Sequence, residues 1–238
     1  MNVRFLRTSP GIKKLIITED IVRSSQNDWR NSLLESSAIV LAGGSSSRIG
    51  EDKGLVQLMN KPLVKHVIEK TDNIVDEEIV VVHTKTQAEK YAHVLGSCVT
   101  IAVDKTDLHS PLAGAVTGFE SAKGKYSLLL SCDTPLVSRE VLQLLLELCI
   151  NKNATIPRWP NCYIEPLQAA YCTKPALEAA MSSLHSGNLK LQGMVDRLRN
   201  VRYISTLVFE QLNPDLDTFF NVNTALDLKK AETILKSR

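Results

Sequence analysis

Four short aliphatic runs alternate with helical segments in the first 150 residues, and this alternation constrains the fold more than any other feature of the chain. The runs are Ala38–Leu41, Ile79–His83, Val99–Val103 and Tyr126–Ser131. Each is apolar without a period of two, which is typical of strands buried on both faces of a parallel sheet. Residues 62–73, 86–95 and 111–122, between the runs, have helical composition. The βαβαβαβ order predicts a three-layer α/β/α sandwich around a Rossmann-like, mostly parallel sheet.

The alternation of aliphatic runs and helical segments becomes less regular in the second half of the chain. Ser138–Ile150 predicts a further helix, with Ser138 as its N-cap. Three prolines between residues 157 and 166 then indicate loops around one short strand, Gln168–Cys172. Helical patterns return at residues 175–184, 189–198 and 227–236. We interpret the region after residue 150 as an appended lobe that faces the substrate.

The composition excludes several classes of protein. Hydrophobic residues at 44%, charged residues at 23% and a mean hydropathy of -0.04 indicate a globular chain rather than a disordered or membrane-spanning one. A net charge of +2 offers no global attraction to nucleic acid or to a membrane, and 5% aromatic residues are too few for base-stacking surfaces. Because the sequence has neither a long apolar segment nor a signal region, we expect a cytoplasmic protein that acts on small molecules.

The segment from Leu41 to Lys53 carries the strongest functional signal, since it follows directly from a predicted strand. Gly43 and Gly44 let backbone N–H groups approach a phosphate closely, and the three serines after them add hydroxyl donors. Arg48 offers a forked guanidinium for phosphate oxygens, and Lys53 places a compact charge against a pyrophosphate leaving group. The spacing matches neither a Walker A loop nor the G-x-G-x-x-G fingerprint. A surface turn would explain the glycines alone, but the whole string indicates a phosphate-binding loop.

Two acidic residues follow predicted strands and belong to the same edge of the sheet. Asp133 comes after the fourth run, in the string Ser131-Cys-Asp-Thr-Pro135, and Asp104 closes the third run. Ligands of open parallel sheets bind at the carboxyl ends of the strands, so Asp133 is placed to hold Mg²⁺. One protein carboxylate suffices when substrate phosphates and water complete the coordination. For both residues the alternative is an N-cap role in a strand-to-helix loop.

Further strings follow these in a fixed order along the chain. The whole set is Leu41-Ala-Gly-Gly44 with Arg48, Gly50, Asp52 and Lys53; Asn60-Lys-Pro-Leu63; Ser110-Pro-Leu-Ala-Gly114; Cys132-Asp-Thr-Pro135; Glu165-Pro-Leu-Gln-Ala-Ala-Tyr171; and Asn221-Val-Asn-Thr224 with Asp227 and Leu228. Together they resemble the signature of the molybdenum cofactor guanylyltransferase family, which is MobA-like, over residues 38–230. The resemblance implies a nucleotidyltransferase domain at residues 38–238. It leaves residues 1–37 as an extension of unassigned role, in which residues 12–22 predict an extra strand or a small helix.

The resemblance also implies an activity and a site. The family transfers GMP from GTP to molybdopterin-bound molybdenum cofactor and releases pyrophosphate, with molybdoenzymes or cofactor-insertion proteins as further partners. Its pattern implies nucleotide binding by Leu41, Ala42, Gly43, Gly44, Lys53, Asp104 and Asp133, Mg²⁺ binding by Asp133, and a pterin-phosphate side near Asn221 and Asn223. We expect Arg48, Lys53 and Asp133 to be the catalytic residues.

Two positions depart from the family's pattern. Ser45 stands where relatives often have a basic residue, so that phosphate contact is either missing or made by Arg48. His83 stands at the end of the second predicted strand, where relatives can place a nucleotide-contacting asparagine. A histidine that merely ends the strand is the alternative there.

Other functions stay open from the sequence alone. A cytidylyltransferase acting on molybdopterin, or a sugar- or polyol-phosphate nucleotidyltransferase, would use the same phosphate loop. A cofactor-delivery protein that binds nucleotide without turnover would keep the same fold. The first and last strings favour the molybdopterin branch, and the presence of Lys53 and Asp133 favours turnover.

Overall fold

The structure is a computed structural model that describes residues 5–7, 13–15, 36–43, 52–106, 108 and 110–237. The chain divides into a small unit, Met1–Leu34, and a large unit, Glu35–Arg238. In the small unit, strand β1 (Phe5–Arg7) pairs antiparallel with strand β2 (Lys13–Leu15). Strand β2 lies within residues 12–22, so of the two predicted alternatives the strand is correct for these three residues.

The strands of the large unit are, in chain order, β3 (Ser36–Leu41), β4 (Gln57–Leu58), β5 (Lys61–Pro62), β6 (Glu77–Val82), β7 (Thr100–Val103), β8 (Tyr126–Ser131), β9 (Ala154–Arg158), β10 (Gln168–Cys172) and β11 (Val201–Ser205). Strands β4 and β5 form a small antiparallel hairpin, and the other seven form one sheet in the order β11-β9-β10-β8-β3-β6-β7. Neighbouring strands from β8 to β7 are parallel, as are β11 and β9, whereas β10 runs antiparallel to both of its neighbours. The sheet is therefore mostly parallel, as predicted.

The helices of the large unit are α1 (Leu63–Thr71), α2 (Lys85–Leu95), α3 (Pro111–Ser121), α4 (Arg139–Cys149), α5 (Thr173–His185), α6 (Leu191–Val195), α7 (Thr206–Phe209) and α8 (Ala225–Lys236). Short 3-10 turns lie at Lys53–Leu55 and Asp217–Phe219. Ser138 caps α4 as predicted, since its hydroxyl accepts a hydrogen bond from the Val141 N–H at 3.3 Å. Helix α6 ends at Val195, three residues earlier than the pattern of residues 189–198 predicts. Of the helices in the described part of the chain, none is long and apolar enough to cross a membrane.

Helices cover both faces of the sheet. On one face, α3, α5 and α6 pack on alternate strand residues such as Ile39, Val81 and Leu129. Helices α1 and α4 contact the strands and each other, and the alternation of side chains directs the intervening residues, such as Val40, to the second face. Helix α3 approaches β3 so closely that a Cβ on Gly118 would lie 2.3 Å from the Ile39 Cγ2. This arrangement is the predicted three-layer α/β/α sandwich.

The expectation of an appended lobe after residue 150 is wrong, because β9, β10 and β11 continue the main sheet. The prolines in this region indicated loops, yet Pro157 lies inside β9. Pairing between β9 and β10 covers only Ala154 and Thr155, so the missing N–H of Pro157 breaks no bond of that ladder. Its carbonyl accepts a hydrogen bond from the Glu165 N–H at 3.0 Å, and this bond holds the chain that leads into β10.

Candidate active site

A cavity of about 430 Å³ opens where the parallel strands β3, β6, β7 and β8 end. Ligands of open α/β sheets bind at this edge, since the loops leaving the strands converge there. Five of the predicted site residues line the cavity, namely Leu41, Gly43, Lys53, Asp104 and Asp133. The N-terminus of α3, at Ser110 and Pro111, lines it as well. The structure thus brings together residues that are up to 92 positions apart in the chain.

Lys53 lies at the centre of a polar cluster in this cavity. Its Nζ donates to the Asp133 Oδ2 at 2.5 Å and to the Asn223 Oδ1 at 2.6 Å. The side chains of Lys53 and Asp133 are each 16% exposed, so the ion pair is only partly screened by water. The cluster joins the first and last strings of the sequence, since Asn223 lies 170 residues from Lys53.

The Asp133 carboxylate has one oxygen available to a ligand. Its Oδ1 is buried and has no hydrogen-bond partner among the described residues. The backbone holds the residue in place, because the Asp133 carbonyl accepts from the Val222 N–H at 2.8 Å. A buried carboxylate oxygen without a donor is costly unless a cation or a donor completes it. Such an oxygen is a hard ligand of the kind that Mg²⁺ prefers.

Asp104 is held in a different way at the opposite side of the cavity. Its Oδ1 accepts hydrogen bonds from the Thr106 N–H, the Thr106 hydroxyl and the Thr117 hydroxyl, at 3.0 to 3.2 Å. Its Oδ2 lies 3.6 Å from the His83 Nδ1 and is buried without a hydrogen-bond partner in the described part of the chain. Asp104 is therefore fixed by neutral donors on one oxygen and faces the histidine ring with the other.

The His83 ring packs directly against the backbone of Gly43. A Cβ on Gly43 would lie 2.6 Å from the His83 Cδ2, so any larger residue at this position would displace the imidazole. Both residues line the cavity, whereas Ala42 is fully buried and is not among the lining residues. The Ala42 N–H donates to the Val81 carbonyl at 2.8 Å, and its carbonyl accepts from the Tyr91 hydroxyl at 3.3 Å. Nucleotide binding by Ala42 stays a prediction.

Asp52 anchors the chain where it returns from the predicted phosphate loop, a role that the sequence reading did not assign to it. Its Oδ1 accepts from the buried Tyr91 hydroxyl at 2.6 Å, and its Oδ2 accepts from the Gln87 Nε2 at 2.8 Å. Gln87 in turn accepts from the His83 N–H at 2.9 Å. Burial and the nearby carboxylate raise the pKa of Tyr91, so the phenol stays protonated and donates. A sign of this role was available in the sequence, since Asp52 directly precedes the predicted site residue Lys53.

The remaining predicted residues divide into two groups. Gly44, Ser45 and Arg48 lie outside the residues that the structure describes, so their predicted roles stay predictions. Asn221 lines a second cavity, and its Nδ2 donates to the Phe219 carbonyl at 3.3 Å. Asn223 reaches the first cavity through its bond to Lys53.

The second cavity, of about 500 Å³, shares Ser131, Asp133 and Leu167 with the first. The tip of the β9–β10 hairpin, from Cys162 to Leu167, forms one of its sides. Glu165 lines it and accepts a hydrogen bond from the Trp159 Nε1 at 2.7 Å. Burial raises the pKa of Glu165, and the Trp159 bond opposes that rise. Two adjoining cavities with Asp133 between them can hold two substrates whose reacting groups meet at one carboxylate.

Comparisons with known proteins identify related sequences. A family model described as the MobA-like NTP transferase domain matches residues 38–201. A relative from Methanosarcina mazei, described as a probable molybdenum cofactor guanylyltransferase, is 32% identical over 200 residues, which cover 81% of this chain and 88% of the relative. A relative from Pyrococcus horikoshii with the same description is 33% identical, over 80% of this chain and 96% of the relative.

Solved structures share the architecture. The molybdopterin-guanine dinucleotide biosynthesis protein A from Archaeoglobus fulgidus matches with a TM-score of 0.73 and 29% identity, over 85% of this chain and 100% of that one. The 2-C-methyl-D-erythritol 4-phosphate cytidylyltransferase from Thermus thermophilus matches with a TM-score of 0.63 and 16% identity, over 85% of this chain and 99% of that one. The second likeness concerns the fold alone.

Proposed function

The chain belongs to the family of MobA-like NTP transferase domains, and from this premise we propose that it transfers GMP from GTP to molybdopterin-bound molybdenum cofactor. The reaction releases pyrophosphate and forms a guanine dinucleotide cofactor. The descriptions of the relatives support this reaction. The observation that carries the proposal is the position of Asp133, which lines both cavities and keeps one buried oxygen without a partner.

The two cavities take the two substrates. The first cavity, with Lys53 and the end of the phosphate loop, takes the nucleoside triphosphate. The second takes the acceptor, whose terminal phosphate lies toward Asp133 and Asn221. This assignment follows the charges. Lys53 lines the first cavity and contacts the shared Asp133 at 2.5 Å, whereas no lysine or arginine is among the described lining residues of the second cavity. The phosphates of both substrates therefore converge on the shared carboxylate.

The chemistry requires positioning more than proton transfer. A terminal phosphate oxygen of the acceptor forms a bond to the α-phosphorus of GTP, and the bond from that phosphorus to the β-bridging oxygen breaks. An ionised phosphate is already a nucleophile, so no protein base is needed. The binding of both substrates in adjoining cavities lowers the barrier by making the encounter effectively intramolecular.

Asp133 fits the requirement for a divalent cation. Its unpartnered Oδ1 is a buried, anionic oxygen, and the phosphates of the substrates can supply further oxygen ligands. When bound, Mg²⁺ would neutralise charge on the triphosphate and on the attacking phosphate. Asp133 would hold it, and Asn221, which also lines the second cavity, would orient the acceptor phosphate.

Lys53 stabilises the charge that develops on the leaving pyrophosphate. In the present structure its ammonium bonds Asp133 and Asn223. A flexible four-carbon stem allows it to exchange these contacts for phosphate oxygens. Arg48, from the loop before it, would add a forked contact to the same phosphates.

Selectivity for guanine follows from the groups that line the first cavity. Guanine presents N1–H and N2–H₂ donors beside its O6 acceptor, and the backbone of Gly43 offers an N–H and a carbonyl at the end of β3. Adenine lacks this pattern, and cytosine leaves part of the cavity unfilled. A site that leaves buried polar groups unpaired discriminates by about 1–3 kcal/mol per group, or roughly tenfold or more.

The test is turnover of the purified chain with Mg²⁺, molybdopterin-bound cofactor and each of GTP, CTP and ATP, read as pyrophosphate release and dinucleotide formation. We expect GTP to be used at least about tenfold better than the other two. A clear preference for CTP would move the chain to a cytidylyltransferase. Binding of GTP without any turnover would instead indicate a cofactor-delivery protein.

A further inference from the structure

Glu165 is held in a fixed orientation at the side of the second cavity. Its Oε1 accepts from the Trp159 Nε1 at 2.7 Å, and its backbone N–H donates to the Pro157 carbonyl at 3.0 Å. The Trp159 ring packs edge-to-face on Phe219, with ring centroids 5.5 Å apart. Since Phe219 also lines the cavity, the carboxylate and an aromatic side chain are presented together. A flat ring with hydrogen-bond donors on one edge suits this pair.

The charge of Glu165 can accept donors from a ligand. Asp133, the other acidic residue that lines the second cavity, is neutralised by Lys53. No lysine or arginine is among the described lining residues of this cavity, and Glu165 forms no ion pair within the described part of the chain. A half-buried carboxylate without a cation is best completed by two N–H groups in parallel, as in other bidentate pairs.

We infer that Glu165 recognises the 2-amino-4-oxo edge of the acceptor's pterin ring, and this inference rests on the proposed function. That edge carries the N3–H and the exocyclic amine side by side, and the two donors match the two oxygens of a carboxylate. Phe219 provides apolar contact to the ring, while the acceptor phosphate extends toward Asp133. Glu165 is thereby a specificity-determining residue for the acceptor and takes no part in the phosphoryl chemistry.

The hydrogen bond from Trp159 allows a decisive substitution. In Glu165→Gln, the indole N–H keeps the amide oxygen in the Oε1 position, so the amide NH₂ takes the place of Oε2. The proposed pose places Oε2 opposite the exocyclic amine of the pterin, so the NH₂ of the variant faces a second donor there. A lumazine has a carbonyl in place of that amine, so the same NH₂ pairs with it. The substitution should therefore reverse the preference of the cavity, from the pterin to the lumazine.

The experiment measures the affinity of the full chain for 6-hydroxymethylpterin and 6-hydroxymethyllumazine by ligand fluorescence. We expect the wild-type chain to favour the pterin by about tenfold or more, and Glu165→Gln to favour the lumazine. The KM for the molybdopterin acceptor should rise in Glu165→Gln by a similar factor, while the KM for GTP stays unchanged. Glu178→Gln, at an exposed position on α5, is the matched control.

The outcomes separate this inference from the proposed function. Equal shifts for both rings in Glu165→Gln, or no shift in a variant that binds GTP normally, would overturn the role of Glu165. If the wild-type chain shows the ring preference and its exchange but transfers no GMP to molybdopterin, the inference about the ring stands and the proposed function fails.

Discussion

Asp104 and Asp133 occupy equivalent places at the ends of β7 and β8, yet their surroundings differ. Asp104 receives three hydrogen bonds from Thr106 and Thr117, all from neutral groups on its own loop and on α3. Among the described residues, the Asp133 carboxylate receives one hydrogen bond, from the ammonium of Lys53. Each keeps one buried oxygen without a hydrogen-bond partner among the described residues. One carboxylate is fixed by neutral donors, and the other is balanced by a cation that can move.

The difference separates two tasks that a nucleotidyltransferase must perform. A carboxylate fixed by neutral donors keeps its position whether or not substrate is present, so it suits recognition. A carboxylate paired with a flexible lysine can exchange that lysine for another cation, so it suits a reaction in which charge moves. The following substitutions test this division.

The largest effect is expected for Asp133→Asn, because the amide keeps the shape of the side chain but loses its charge. The loss of several kcal/mol of charge stabilisation should lower turnover about a thousandfold or more, with the fold intact. The measurement is pyrophosphate release across a Mg²⁺ titration, normalised to folded protein. Asp215→Asn, at an exposed position, is the control. Undiminished activity at low Mg²⁺ would refute the role of Asp133.

Lys53→Ala should lower turnover by about two to three orders of magnitude, the cost of one preorganised contact to developing charge. Its effect on the free energy of unfolding should be small. Lys61→Ala removes a comparable ion pair, with Glu69 at 2.5 Å, away from the lining of either cavity and should leave turnover unchanged. A large loss of stability in Lys53→Ala without a loss of rate per folded molecule would make Lys53 a structural residue.

Thr117→Val removes one neutral donor from Asp104 and should have a moderate effect. The free energy of unfolding should fall by about 1 kcal/mol, because a buried oxygen loses a hydrogen bond. Binding of GTP should weaken by a few fold, with little change in kcat. Chemical denaturation and GTP titration measure the two effects, and Thr233→Val, an exposed hydroxyl on α8, is the control. A drop in kcat as large as that of Lys53→Ala would erase the distinction between the two carboxylates.

Removal of residues 1–34 should have the smallest effect. The cut leaves Ser36, whose N–H donates to the Asp76 Oδ2 at 2.7 Å, and therefore preserves the start of β3. Turnover should stay unchanged and the free energy of unfolding within about 0.5 kcal/mol. Aggregation or inactivity of the shortened chain would show that the large unit needs the extension to fold or to act.

The fold could be predicted from the sequence wherever one strand is buried by helices on both faces. Strands β3, β6 and β8 contain runs of buried aliphatic residues for this reason, and the predicted positions of these strands and of β7 overlap those in the structure. Strands β9 and β11 were not predicted. Pro157 interrupts the pattern of β9, and β11 lies at the edge of the sheet with half-exposed residues such as Arg202. A proline in β9 and half-exposed polar residues in β11 thus concealed strands that long-range pairing stabilises.

The sequence could indicate that several predicted residues lie at one edge of the sheet, but not which bonds they form. Lys53, Asp104 and Asp133 could each be placed at the same edge because parallel strands end together. The bonds from Lys53 to Asp133 and Asn223 span 80 and 170 residues and depend on how the loops close. The role of Tyr91 depends on helix α2, which brings its hydroxyl to Ala42 and Asp52, and the sequence around Tyr91 gave no sign of these bonds.

The reversed direction of β10 affects how an enzyme of this kind can acquire new acceptors. An antiparallel strand begins where its parallel neighbours end, since Gln168 pairs with Leu130 and Cys172 with Tyr126. The hairpin tip at residues 159–167 therefore reaches the edge that the outgoing loops of β3, β6 and β7 also reach, but it arrives from the other half of the sheet. Insertions or replacements in this tip leave those outgoing loops untouched. Under the proposed function, variation in this tip therefore alters the side of the acceptor cavity that residues 162–167 form, while Lys53 and Asp104 stay in place on other elements.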